Sequence, residues 1–185
     1  MGRLALYGRP GAGKSTLTHL LIEQCEEAGL QALVVKLGAP LYELQALIHA
    51  MAGQPMLAGG QQDGLLLNDL GAHLRRINPD ALTAPFAARV AQATSVMPDV
   101  VLVCDDVRAP DVEAVVALGF TLVEVTAPED LRRARKLARG DFSAGADSHP
   151  TEAPLSVTPA LRIGNDRTLE HLRARAAHLV HEVLR

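Results

Sequence analysis

The sequence predicts an α/β domain built on a parallel sheet. Strand-like and helix-like patterns alternate along the chain, as a parallel sheet with crossover helices requires. The glycine-rich stretch Gly8-Arg9-Pro10-Gly11-Ala12-Gly13-Lys14-Ser15, with Thr16 behind it, separates the first strand pattern from the first helix pattern. The run Val100-Val101-Leu102-Val103-Cys104 is apolar without alternation, which suits a strand buried on both faces, and it ends in Asp105-Asp106.

The elements follow in order. Arg3–Tyr7 reads as a short buried strand, and a helix leads out from Ser15 with Leu17, Leu20 and Leu21 at helical spacing. Ala32–Val35 is a second strand. Residues 41–52 read as a helix with Leu44, Leu47, Ile48 and Met51 on one face. Residues 53–62, rich in Gly and Pro, form a loop. A helix over 65–77 ends at Asn78-Pro79-Asp80, which starts the next, about 81–95. The strand over 100–104 is followed by a short helix (111–118), a strand (120–125) and a strongly basic helix (128–139). Residues 140–159 are polar and irregular. A last strand (161–163) and a last helix (168–184) close the pattern of five strands and about seven helices.

Composition bounds the function classes. The 185 residues suit one domain with a sizeable core. Hydrophobic residues make up 48% and charged residues 21%, and the net charge is −3, so nothing draws the chain to nucleic acid. The apolar runs are too short to span a bilayer, and the chain opens directly into a strand rather than a signal peptide. Cys25 and Cys104 form no metal or disulfide pattern, which fits a reduced cytoplasmic setting. A homodimer is left open. Of 18 basic residues only Lys14, Lys36 and Lys136 are lysines.

Residues 8–16 carry the chemistry. Glycines let the backbone turn and aim its N–H groups at the phosphates of a nucleoside triphosphate, and the helix N-terminus adds positive potential. ATP is the expected cofactor, held by Gly8, Arg9, Pro10, Gly11, Ala12, Gly13, Lys14, Ser15 and Thr16. Lys14 bridges the β and γ phosphates and Ser15 ligates Mg²⁺.

Ligands of open parallel sheets lie beyond the carboxyl ends of the strands. Lys36, after the second strand, is expected to hold an acceptor's phosphate or carboxylate. After the third strand, Asp105 is the first choice for Mg²⁺ or its water, Asp106 faces the substrate, and Arg108 contacts a phosphate. In the basic helix Arg132, Arg135, Lys136 and Arg139 share one face. Followed by a polar segment, they are expected to act as a lid, about 128–158, that neutralises transferring phosphates and excludes water. Arg75-Arg76 are expected to grip the acceptor's phosphate, and His149 to touch the substrate. A GTPase should show an Asn-Lys-x-Asp motif, which is absent, and a motor ATPase needs a longer chain. What remains is a small-molecule kinase.

The chain resembles the phage-type deoxynucleoside monophosphate kinases, and more loosely the dephospho-coenzyme A kinases. Beyond the P-loop, the likeness is carried by Gln62-Asp63 through Leu70-Gly71, by Arg75-Arg76-Ile77-Asn78-Pro79, and by Asp105-Asp106-Val107-Arg108 with Glu113. It continues in His149-Pro150-Thr151-Glu152 and in Asn165-Asp166 with Thr168-Leu169. It departs at Gly64, where the family has arginine, and in the lack of a tryptophan after Asn78-Pro79. The resemblance implies a three-layer P-loop kinase fold with a five-stranded parallel sheet, a helical acceptor-binding insertion (about 37–97) and an arginine-rich lid, in a single domain over 1–185. It also implies that Asn165 lies near the ATP base. The expected reaction is transfer of the ATP γ-phosphoryl group to a nucleoside monophosphate, with Mg²⁺. A kinase for a hydroxyl acceptor (nucleoside, sugar or dephospho-coenzyme A), with Asp105 or Asp106 as base, stays open beside it, as does a nucleotide-binding switch.

Overall fold

The computed structural model describes residues 2–56, 61–143 and 157–183. Five strands, β1 (Arg3–Tyr7), β2 (Ala32–Val34), β3 (Val101–Cys104), β4 (Thr121–Thr126) and β5 (Leu161–Gly164), form one sheet in the order β2-β3-β1-β4-β5. Every pairing is parallel. Among the described residues seven helices accompany them: α1 (Lys14–Glu27), α2 (Ala39–Met51), α3 (Gly64–Ile77), α4 (Thr83–Val96), α5 (Val112–Ala117), α6 (Glu129–Arg139) and, after the last strand, α7 (Leu169–Val183). A 3₁₀ turn at Ala109–Asp111 precedes α5.

The unbroken apolar strands are explained by burial on both faces. Successive side chains point to opposite sides. Leu4, Leu6, Val101, Val103, Val123 and Val125 pack with α1 and α7 against one face. Ala5, Tyr7, Leu102, Cys104 and Leu122 pack with α4 and α5 against the other. Phe86 and Phe120 meet there with ring centroids 5.5 Å apart, in the tilted arrangement aromatic pairs prefer. Leu17, Leu20 and Leu21 are buried as their spacing predicts.

The apolar face of α2 is turned outward. Leu47, Ile48 and Met51 are exposed, whereas Gln45 and His49 are buried. The polar side of α2 is buried because it meets polar partners. Gln45 Oε1 accepts the Asp63 N–H at 2.8 Å, and His49 meets Asp63 and the Gln54 carbonyl. Apolar spacing gives the period of a helix, but which side turns inward depends on what its neighbours offer.

Three connections leave the carboxyl edge of the sheet and define the site. β1 runs into residues 8–13, β2 into α2, and β3 into residues 105–108. The remaining wall comes from α6, whose C-terminus is closed by Gly140 in the left-handed conformation.

Candidate active site

The loop from Gly8 to Gly13 turns on three positive-φ glycines, and each is held to glycine by a close neighbour. At Gly13 (φ 98°) a Cβ would lie 2.0 Å from Asn165 Nδ2. At Gly11 (φ 80°) it would lie 2.6 Å from the Arg132 carbonyl oxygen. Helix α1 starts at this loop with no side-chain cap and no acid in its first turn. The first N–H groups of a helix lack intrahelical partners, so such an uncapped start favours an anion. The Lys14 ammonium folds over the loop and donates to the Gly8 carbonyl at 2.7 Å.

A cavity of about 420 Å³ opens from Pro10–Thr16 toward α2 and α3. One side carries Lys14, Ser15, Asp105 and Arg108, and α6 adds Arg135, Lys136 and Arg139. Leu37, Leu41, Tyr42, Leu67 and Leu82 supply its apolar walls. A second cavity, on the other side of Gly8 and Arg9, shares Arg108 with it.

The two acids after β3 have separate tasks. Asp105 is almost fully buried. Its Oδ1 accepts from the Lys36 ammonium, while Oδ2 is buried without a hydrogen-bond partner among the described residues. A buried carboxylate oxygen left unpaired is costly unless a ligand completes it. With the Ser15 hydroxyl on the same cavity, the donor set is oxygen-only, as Mg²⁺ prefers alongside nucleotide phosphates. Asp106 accepts the Leu37 and Gly38 N–H groups, both at 2.9 Å, and the Cys104 thiol at 3.3 Å. Both of its oxygens therefore accept from the chain, and Asp106, expected to face the substrate, lines the cavity while holding the start of the β2–α2 connection. Burial, then the nearby Asp106 charge, pushes the Cys104 thiol well up, so it stays protonated in the core. The same two causes push the Tyr42 phenol up, keeping it a neutral wall of the cavity.

Several basic residues also stand elsewhere than expected. Arg75 reaches the cavity wall, but Nε and Nη2 fork onto Asp111 at 3.1 and 2.6 Å, and Nη1 donates to the Gly71 carbonyl. It braces the acceptor side instead of offering a free fork. Arg76 is exposed and lines neither cavity, because α3 turns its neighbour inward. Lys36 lines the cavity with its ammonium engaged by Asp105. Arg132 is buried behind the loop, donates to the Pro10 carbonyl at 3.4 Å, and lines the second cavity, so it supports the loop from below.

Arg135 lies across the loop, with Nη1 3.5 Å from the Gly11 carbonyl and Nη2 3.1 Å from that of Asn165. Arg139 pairs with Asp141. Asn165 is buried, and its amide donates to the Ala12 carbonyl at 2.9 Å. It reaches the nucleotide site through the backbone of the loop. His149 lies outside the described residues, as do residues 144–156 of the expected lid segment.

The sequence reading missed Asp111, Tyr42, His49 and the seam between residues 61–64 and 141–143. Only Asp63 carried a local signal: an acid just before an apolar helix, here a cap whose Oδ1 accepts the Leu66 N–H at 3.2 Å.

No family model matches the chain, and no curated protein matches it. Solved structures do. TT1252 from Thermus thermophilus is similar with a TM-score of 0.56 at 19% identity, covering 98% of this chain and 99% of that one. A gluconokinase from Sinorhizobium meliloti gives 0.55 at 16%, covering 98% and 93%. The Mycobacterium tuberculosis APS kinase, in complex with AMPPNP and APS, gives 0.53 at 18%, covering 98% and 99%. These identities speak for architecture alone. The parallel sheet, the uncapped glycine loop and the near end-to-end superposition together make this the P-loop kinase fold.

Proposed function

We propose that the protein transfers the γ-phosphoryl group of ATP to a nucleoside monophosphate. One observation carries the choice of acceptor. The cleft that Lys14 lines combines apolar and aromatic walls (Leu41, Tyr42, Leu67, Leu82) with cations (Arg108, Arg135, Lys136). A flat, weakly polar base attached to an anionic phosphate matches that combination, whereas a sugar would leave hydroxyls against leucines. That proteins of this fold include an APS kinase in complex with AMPPNP and APS supports a nucleotide reading.

The acceptor's phosphate has a second pKa near ~6, so its oxygen is already ionised at neutral pH. It attacks the γ phosphorus, the bond to the β–γ bridging oxygen breaks, and ADP leaves with that electron pair. No base is needed. Catalysis becomes alignment and charge neutralisation. The N–H groups at the start of α1 and the Lys14 ammonium hold the transferring and leaving oxygens. Arg108 faces the acceptor from the end of β3, and Arg135 closes over the loop. Ser15 and Asp105 would hold Mg²⁺, which when bound draws charge off the β and γ oxygens. Lys36 holds the Asp105 carboxylate in place.

A hydroxyl-acceptor kinase is the second reading, favoured by the unpartnered Oδ2 of Asp105, which could take a proton. The test is ADP release with ATP, Mg²⁺ and a panel of ribo- and deoxynucleoside monophosphates, nucleosides, sugars and dephospho-coenzyme A. Turnover on monophosphates, lost in Lys14→Ala, is the expected result. Turnover on hydroxyl acceptors alone would overturn it.

A further inference from the structure

His49 is buried on the inner side of α2, and its ring is held between two acceptors. Nδ1 lies 3.2 Å from the Gln54 carbonyl oxygen and Nε2 lies 3.1 Å from Asp63 Oδ2. Carbonyl and carboxylate oxygens only accept, so the ring that satisfies both contacts is the doubly protonated imidazolium. Phe142 lies against it, centroids 4.6 Å apart, as suits a cation beside an aromatic ring.

Asp63 and Phe142 belong to a seam. The stretch 141–143, which follows α6, is stitched to the start of α3. Ser143 donates its hydroxyl to Asp63 Oδ1 at 2.5 Å and accepts the Leu65 N–H at 2.9 Å. The Ser143 carbonyl accepts the Gly64 N–H, and the Phe142 N–H donates to the Gln62 carbonyl. Asp141 takes the Arg139 guanidinium and the Gln62 N–H. The charged groups of the seam are thus His49 with Asp63 and Arg139 with Asp141. Burial works to raise the Asp63 carboxyl, but hydrogen bonds from Ser143, the Leu66 N–H and His49 outweigh it and hold it below the ordinary value. Asp63 is therefore ionised throughout the range in which histidines change charge.

We propose that His49 is a positioning residue: its imidazolium pairs with Asp63 and so fixes the seam that sets Arg135, Lys136 and Arg139 over the acceptor cleft. This rests on the kinase reading above. As pH rises and the ring gives up a proton, one nitrogen turns a lone pair toward an oxygen, attraction gives way to repulsion, and the seam loosens. The protonated form is the one that closes, so function is lost on the alkaline side.

The discriminating variant is Asp63→Asn. Asparagine keeps the capping oxygen for Leu66 and Ser143 and turns its NH₂ toward Nε2, where a neutral ring protonated on Nδ1 now fits. Two readouts are taken across pH ~6 to ~8.5: trypsin cleavage within α6, and kcat/KM for the monophosphate. The wild type is expected to be cleaved increasingly faster than the variant as pH rises, and its kcat/KM to fall about ten-fold against the variant's. KM for ATP should move less. Wild-type-to-variant ratios that stay constant with pH in both readouts would overturn the role of His49. If Asp63→Asn does not fold, His49→Gln, which carries no titrating proton, takes its place with the same expected change in ratio. A pH-dependent cleavage ratio in a protein that phosphorylates nothing would overturn the kinase reading and leave the His49–Asp63 seam standing.

Discussion

Arg75 on α3 and Asp111 in the turn after β3 form a two-pronged ion pair, Nε to Oδ1 at 3.1 Å and Nη2 to Oδ2 at 2.6 Å. It ties the acceptor-side helices to the segment that carries Asp105 and Arg108. Both side chains are largely buried. Arg75→Ala strands a buried carboxylate and is expected to cost about 3–5 kcal/mol at neutral pH. Arg75→Lys keeps the charge without the fork and should recover part of it. Burial holds the Asp111 carboxyl above its ordinary value against the pull of Arg75. A carboxyl raised in the folded state binds protons there more readily than in the unfolded chain, so its stability contribution falls as pH rises through that window. The Arg75→Ala defect should therefore be small in acid and full near neutrality. Urea unfolding at both pH values checks this.

The neighbours Asp105 and Asp106 should separate stability from turnover. Asp106→Asn sets an NH₂ against one of the Leu37 and Gly38 N–H groups and is expected to cost about 1–3 kcal/mol. Asp105→Asn removes the carboxylate that pairs with Lys36 on the cavity shared with Ser15 and Lys14 and should lower kcat about 10²-fold or more with an unchanged fold. Thermal melts and initial rates on the two purified variants give the answer. Equal melting temperatures with equal rates would contradict the division of tasks.

Asn165 is expected to act on ATP through the Ala12 carbonyl. Asn165→Ala should raise KM for ATP several-fold, since one hydrogen bond contributes about 1 kcal/mol, while acceptor KM stays put. Gly13→Ala should abolish nucleotide binding, because its Cβ would meet Asn165 Nδ2 in a backbone conformation L-residues avoid. Calorimetric titration with an ATP analogue reads both.

Among the arginines, position predicts effect. Arg135→Ala, which uncovers the loop, should lower kcat by about 10²-fold. Arg76→Ala, exposed and outside both cavities, should change stability by no more than about 0.5 kcal/mol and leave acceptor KM as it was. A large KM rise in Arg76→Ala would place the acceptor elsewhere than between α2 and α3.

The nucleotide half of the site was legible because its chemistry is local. Gly8 to Thr16 supply their own turns, N–H groups and lysine within nine consecutive residues. The apolar run ending at Asp105 announced its own depth in the sheet. The acceptor half was not, because its residues meet only across the fold. Nothing near Arg75 in sequence says that Asp111, 36 positions away, takes its guanidinium. The spacing of Leu44, Leu47, Ile48 and Met51 marked a helix and one of its faces, but not which side turns inward.

By itself, then, the sequence determined the parallel α/β architecture, the order of its elements and the glycine loop before α1, all of which follow from short-range periodicity and backbone freedom. The tertiary structure decided which charges are spent within the protein and which face the cleft. Asp106, Arg75 and Lys36 line the cavity while bonded to side-chain or backbone partners across the fold, Lys14 and Arg135 line it with donors on loop carbonyls, and Asp105 keeps Oδ2 buried without a hydrogen-bond partner among the described residues. That division depends on which partner reaches each charge first in a low-dielectric interior, a three-dimensional property that no local pattern records.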